Sequence, residues 1–242
     1  MDGTIHHSQF TIHMSKALFV ILLLLSFFSQ AQQKPRRGLA FCGWKYSDTA
    51  VIRRGFERQL AFLQIHDGDT IVDIGSSSGA VEGCLGVISN FQNVHVVLVD
   101  IDSGCLNRER VDNMLNYYAG VKGRPLGLDL SIVNNTVDSL YLPLNQYQHV
   151  WMMNTLHEIP DKDKMIRSMH AVLRKGGELI LSEMLARPKH VIHGGCRQPL
   201  MTEQEIQAMF ERNGFKQADA LMNANNVTKG PNPFYMVRFI KQ

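Results

Sequence analysis

From Thr70 onward the chain alternates short apolar runs with longer stretches whose apolar residues recur every three or four positions. The runs lie at about 70–74, 94–99, 128–133, 150–153 and 178–182. Runs so short, apolar on both faces, predict strands of a parallel sheet buried on each side. The stretches between them predict helices. One starts near Asp48 with Val51, Ile52, Phe56, Leu60 and Leu63; others cover about 80–91 and 105–118, the latter with Val111, Met114, Leu115 and Tyr118 on one face. Asp161 can cap a helix striped by Met165, Met169, Val172 and Leu173. Lys175-Gly-Gly177 reads as a turn into the fifth strand, and Thr202-Glu-Gln-Glu205 as a capping box whose helix stops at Asn213-Gly214. Two final strands, near 218–222 and 234–240, have no helix between them and so form an antiparallel hairpin. The pattern predicts an α/β, doubly wound, mostly parallel seven-stranded sheet with a C-terminal antiparallel hairpin.

The front of the chain follows neither period. Residues 17–28 read ALFVILLLLSFF, preceded by Lys16 and followed by Ser29-Gln-Ala31. A basic start, a short apolar middle and small residues before a cut after Ala31 describe an export signal. The run falls short of the ~20 apolar residues that a spanning helix needs. The expected division is a signal peptide over 1–31, with 1–13 an extension if Met14 is the start, an irregular lead-in over 32–47, and the main domain over 48–242. A cleaved signal predicts a periplasmic or secreted protein with no stable membrane span; an uncleaved one predicts an anchor.

Composition narrows the partners. The 242 residues are 45% hydrophobic, enough for one full core, and the formal charge is +3 with 19% of residues charged. No basic stripe exceeds the short Lys34-Pro-Arg-Arg37 cluster, so a nucleic-acid footprint is not indicated and a small-molecule partner is favoured. Cys42, Cys84, Cys105 and Cys196 contain no Cys-x-x-Cys pair; buried thiols are expected, with one bridge open to an oxidised protein. Oligomeric state leaves no mark on the sequence.

The candidate chemistry begins at Ile71–Ala80, IVDIGSSSGA. In doubly wound sheets ligands sit beyond the carboxyl ends of the strands, where strand order reverses. Gly75 permits a tight turn there, and Gly79 lets a helix N-terminus approach a ligand with its N–H groups. Asp100, 25 residues beyond Gly75 at the end of the second strand, can accept from both hydroxyls of a ribose. Dinucleotides and S-adenosylmethionine both fit such a site. The spacing Gly75, Gly79, Gly83 is not G-x-G-x-x-G, which disfavours a nicotinamide. Gly83, one turn into the helix, is read as a packing residue.

From about residue 48 to the C-terminus the chain resembles the class I S-adenosylmethionine-dependent methyltransferases. The pieces that carry the resemblance stand in order: VDIGSSSG (72–79), VVLVDID (96–102), VDSLYLP (137–143), HVWMMNTLHEIPD (149–161), VLRKGGELILSE (172–183) and TEQEIQAMFERNGF (202–215), then the hairpin. The closest look is to small methyltransferases carrying His-Glu after the fourth strand. The resemblance implies S-adenosyl-L-methionine as cofactor, with Asp73, Gly75, Ser77 and Gly79 along its methionine and ribose side. Asp100 would bind the ribose hydroxyls and Ile101 would lie against the adenine. Thr136, Val137 or Asp138 would flank the adenine edge, and Asn154 would border the transferred methyl. The family's central glycine is replaced by Ser77. At negative φ the serine costs little and its hydroxyl is free to bond the cofactor; at positive φ it carries strain of about 1 kcal/mol or more.

Methyl transfer is an in-line displacement in which alignment does most of the work, and a base helps when the acceptor carries a proton. His157 is the candidate base, with Glu158 to orient it or to bind a cationic acceptor; the competing reading has both capping a turn. His190-x-x-His193-x-x-Cys196 has a spacing that permits a metal, but loosely, and no metal site is assigned to it. Trp44 and Tyr46 are candidates to close over the substrate. The expectation is a methyltransferase acting on a small molecule; the alternative is an exported, non-catalytic protein that binds the nucleoside.

Overall fold

Asp48 opens the first helix by accepting from the N–H of Ala50, and α1 runs Thr49–Leu63. The computed structural model describes residues 40–224 and 230–242. The proposed signal, Met14 and the first half of the lead-in (32–39) lie outside the described residues. After α1 come β1 (Thr70–Ile74), α2 (Ala80–Ile88), β2 (Val94–Asp100), α3 (Arg108–Lys122), β3 (Leu128–Asn134) and β4 (Tyr147–Met153). A 3-10 turn at Leu156–Glu158 leads to α4 (Lys162–Val172), β5 (Leu173–Met184), α5 (Glu203–Glu211), β6 (Phe215–Met222) and β7 (Phe234–Lys241).

These strands form one seven-stranded sheet in the order β3-β2-β1-β4-β5-β7-β6. β1 to β5 pair in parallel, while β7 lies antiparallel between β5 and β6. This is the expected architecture, a Rossmann-like methyltransferase fold. Strand residues alternate between two cores. Val72, Val97, Val150 and Leu179 pack with Met165, Met169 and Phe210 from α4 and α5. Ile71, Val96, Trp151 and Ile180 pack with Ile52, Cys84, Met114 and Tyr118 from α1, α2 and α3. The strands are apolar on both faces because both faces carry helices. Among the described residues no helix is long and apolar enough to cross a membrane.

Three expectations need correction. The fifth strand begins at Leu173, not at Glu178: Lys175-Gly-Gly177 sits inside the strand as an irregularity, with Gly176 at φ 70°. Register slips there between the Tyr147–Leu173 and His149–Glu178 pairs, so the glycines bend the ladder instead of ending it. The third helix starts at Arg108, because Asn107 accepts from the N–H of Arg110 and Cys105 is engaged elsewhere. That engagement is the third correction: Cys42 and Cys105 form a disulfide, and only Cys84 and Cys196 remain free.

Gly83 has the packing role expected of it. A Cβ there would lie 2.2 Å from the Tyr118 ring, so α2 and α3 approach closely only because it is absent.

Candidate active site

Strand order reverses between β1 and β4, and the loops leaving these two strands meet. A Cβ on Gly75 (φ 76°) would stand 2.3 Å from Cγ2 and Oγ1 of Thr155, so glycine is required for both loops to share this space. Gly79 (φ 78°) is the N-cap of α2 and offers no side-chain cap, which leaves the helix's first N–H groups for something else.

Ser77 lies between them at φ 53°, the left-handed branch of the two conformations considered for it. Its N–H donates to Oδ2 of Asp100 at 2.8 Å, and the N–H of Asp102 donates to Oδ1 at 2.9 Å. Both carboxylate oxygens are thereby fixed at the end of β2. Ile101 beside them is 55% exposed, an apolar side chain presented to solvent at the ligand end of the sheet. Ser76 and Ser78 serve the loop itself: Ser78 Oγ donates to the Cys105 carbonyl and accepts from the Cys42 N–H. Both halves of the disulfide are therefore tied to the glycine–serine loop. Gly43 continues the strap, with a Cβ there only 2.6 Å from that of Ala80.

Asp73 lies beneath the loop, fully buried, facing Glu82 of α2. Burial raises both carboxyls, and Glu82 pushes Asp73 up further. Asp73 Oδ1 and both Glu82 oxygens are buried without a hydrogen-bond partner, which favours the neutral over the charged form of these carboxyls. Of the adenine-edge candidates, Val137 is exposed and Thr136 Oγ1 donates to the Ser139 carbonyl. Asp138 pairs with Lys164 of α4 at 2.8 Å, which lowers its carboxyl. Asn135, missed in the sequence, bridges this loop to Asp100: its N–H donates to the Asp100 carbonyl, and its own Nδ2 is buried without a partner. Asn154 leaves β4 at φ 58°, donates its N–H to Ser182, and keeps Oδ1 buried and unpartnered. Buried polar atoms in this state cost about 1–3 kcal/mol each unless a ligand meets them. A fixed carboxylate, an uncapped helix end, a glycine-only cradle and unpartnered amides fit S-adenosylmethionine.

His157 and Glu158 part company. The His157 side chain is buried, and its Nδ1 is 2.7 Å from Oε1 of Glu183 at the end of β5. Glu183 also accepts from the N–H groups of His157 and Met184. Thus Glu183, not Glu158, orients the imidazole; its only sequence signal is an acid at the end of the apolar LILS run. Glu158 is half-exposed, with Oε1 3.8 Å from His157 Nε2, and Nε2 has no hydrogen-bond partner. His193 lies against His157, ring centroids 4.5 Å apart, and its Nδ1 is 3.0 Å from Sγ of Cys196. Burial lowers His193 and raises Cys196. His190 is exposed and stands outside this group.

Of the two lead-in candidates for closing over the substrate, Trp44 is half-exposed and Tyr46 is partly buried. Tyr46 packs edge-on against Phe56 of α1, and the Trp44 carbonyl accepts from the hydroxyl of Tyr118. A cleft of about 720 Å³ lies at the His157 end of the site, and no residue of the Gly75–Gly79 turn lines it. His157, Glu158 and Gln198 line it with Met201, Met209 and Arg212.

Comparison with known proteins adds the chemistry. The profile of a family described as "Methyltransferase domain" matches residues 44–219. Curated relatives include the ubiquinone/menaquinone biosynthesis C-methyltransferase UbiE of Pseudoalteromonas translucida, 26% identical over 144 residues, 58% of this chain and 53% of that protein. The protein of the same description from Edwardsiella ictaluri is 29% identical over 129 residues, 52% of this chain and 47% of its own. The chain spans about half the length of these relatives. Among solved structures, a methyltransferase from Methanosarcina mazei superposes with a TM-score of 0.60 at 15% identity, covering 75% of this chain and 96% of that one. The 1,6-didemethyltoxoflavin-N1-methyltransferase of Burkholderia thailandensis, with 1,6-didemethyltoxoflavin and S-adenosylhomocysteine bound, gives 0.56 at 16% identity, covering 97% of this chain and 93% of that one. At such identities the structures show a shared fold.

Proposed function

The chain belongs to the methyltransferase-domain family, S-adenosylmethionine-dependent enzymes, and from that premise we propose that it methylates a small molecule held in the cleft beside His157 and Glu158. The observation that carries this reading is the Asp100 carboxylate, fixed by two backbone N–H groups beside a glycine turn at the switch point. S-adenosylmethionine supplies an electrophilic methyl on a sulfonium. Asp100 receives the ribose hydroxyls, Ile101 covers the adenine, and residues 136–138 with Asn135 border its edge. Gly75, Ser77 and Gly79 give their backbone to the methionine portion. Asp73 supports that loop from below, and Asn154 directs its unpartnered Oδ1 toward the methyl end.

The acceptor is the open part. The cleft joins apolar Met201, Met209, Ile159 and Ala208 to Glu158, Glu205, Lys162 and an Arg212 already paired with Asp163, which suits a flat apolar molecule with a polar substituent. The relatives' C-methylation in quinone biosynthesis and the neighbour's N-methylation of a small heterocycle support a molecule of this class. Glu158, reachable from solvent, takes the acceptor's proton, while Glu183 holds His157 in place.

We also propose that the protein is exported. The Cys42–Cys105 disulfide supports an oxidising compartment, and residues 17–31 have the form of a cleavable signal. A mature N-terminus at Gln32 would establish it, and an intact N-terminus on the cellular protein would refute it.

The function is tested by equilibrium titration with S-adenosylmethionine and S-adenosylhomocysteine, then by transfer of labelled methyl to a panel of aromatic acids and phenols. Binding no tighter than millimolar would remove the enzyme reading and leave the family's fold without its reaction.

A further inference from the structure

We infer that His157, His193 and Cys196 form a binding site for a divalent transition metal of the zinc class. One nitrogen from each imidazole and the Cys196 sulfur lie within 4.8 Å of one another. Zinc takes nitrogen at about 2.0–2.1 Å and thiolate sulfur at about 2.3 Å in tetrahedral geometry, so a small contraction of the loop closes the site. The contracting segment is His193-Gly-Gly-Cys196, and added Cβ atoms at Gly194 or Gly195 would meet no backbone. Its base is held by the His193 N–H on the Gln198 carbonyl and the Arg197 N–H on the His193 carbonyl.

The unexplained atom is Nε2 of His157. This side chain is 0% exposed, Nε2 has no hydrogen-bond partner, and it belongs to the same group as the thiol and the second imidazole. A histidine kept in the core only for packing with Glu183 would leave Nε2 without a role. A histidine presenting Nε2 to a metal would be arranged this way, because the carboxylate on Nδ1 fixes the ring and its tautomer. Two imidazoles and a thiolate select zinc-class ions over magnesium or calcium, which prefer oxygen. Glu158, with Oε1 3.8 Å from Nε2, stands beside the fourth position and leaves it to water or to an acceptor.

His157 and Glu158 also line the 720 Å³ cleft, so the ion stands in the wall of the acceptor site. That placement rests on the methyltransferase reading; the metal site itself does not. There His157 acts as a ligand through Nε2, not as a proton acceptor.

The test uses the full chain, purified from zinc-supplemented cells and gel-filtered, with metal measured by mass spectrometry and cobalt(II) as the spectroscopic probe. About one equivalent of zinc is expected, and cobalt should give a sulfur-to-metal charge-transfer band. Cys196→Ser should abolish the band, His193→Ala should weaken zinc at least tenfold, and Glu183→Gln should weaken it tenfold to a hundredfold. Cys84→Ser, a thiol in the other core, should keep both zinc and band. His193 and Cys196 lie on a surface loop, so their variants should keep wild-type circular dichroism even if His157→Ala does not fold. Absence of stoichiometric metal, or a band that survives Cys196→Ser, overturns the site. S-adenosylhomocysteine titration on the same samples separates the two readings: nucleoside binding without metal refutes this inference alone, and metal without nucleoside binding refutes the function alone.

Discussion

The N–H of Ser77 donates to Oδ2 of Asp100 at 2.8 Å, tying the turn after β1 to the end of β2. The turn and the acid are therefore one unit: moving either moves the other. A carboxylate already satisfied by two N–H donors keeps lone pairs for a diol without rotating to find it.

Asp100→Ala should weaken S-adenosylhomocysteine tenfold to a hundredfold. Hydrogen bonds to a charged group contribute about 1.5–3 kcal/mol, and the Ser77 N–H loses its partner as well. Asp100→Asn should fall between, since one oxygen becomes a donor facing another donor. Calorimetric titration measures both, and equal affinity for Asp100→Ala and wild type would remove Asp100 from the site.

Ser77 sits at φ 53°, where strain is about 1 kcal/mol, yet its hydroxyl bonds nothing among the described residues. Ser76 and Ser78 do use theirs. Strain kept beside an unused hydroxyl points to a ligand for it. Ser77→Gly should leave folding stability nearly unchanged, because relief of strain is offset by the looser unfolded chain. Cofactor affinity should fall about fivefold, one neutral hydrogen bond of about 1 kcal/mol. A rise in affinity would mean that the serine only strains the turn.

The Asp73–Glu82 pair predicts a pH dependence. Both folded carboxyls are raised by burial, so the folded state keeps a proton that the unfolded chain has lost above about pH 4. Their contribution to stability is complete below the unfolded values and declines as pH climbs through the raised folded ones. Asp73→Asn removes one ionisation and should flatten this decline. Urea midpoints measured between pH 4 and pH 8 would show the wild type falling more steeply than the variant; parallel curves would mean that the pair does not titrate.

Reducing the Cys42–Cys105 bridge should cost about 4 kcal/mol on chain-entropy grounds, given the sequence separation of 63 that it spans. Because Ser78 bonds to both cysteines' backbones, the glycine–serine turn loosens too. Cys42→Ser should lower the urea midpoint and weaken nucleoside binding together. A stability loss with unchanged binding would detach the strap from the site.

Much of this protein was legible along the chain. The seven strands, their helices and the closing hairpin follow from apolar runs, three-to-four spacing and caps such as Asp48, Asp161 and Thr202, all set within a few residues of one another. The position of the Gly75–Gly79 turn and of Asp100 is equally local, since each follows directly from a strand. Local rules misled at Lys175-Gly-Gly177, where cross-strand pairing with β4 outweighed the turn preference of glycine.

Three decisions belonged to the tertiary structure. Ser77 takes positive φ because its N–H must reach a carboxylate 23 residues away. Cys42 meets Cys105 because the lead-in crosses the start of α2, a route no spacing rule describes. His157, Glu183, His193 and Cys196 come from the β4 turn, the end of β5 and the loop that follows. The sheet brings those segments to one end through the summed packing of the whole chain. A residue's neighbours in sequence set its conformation, but its chemistry is set by what the fold places opposite it.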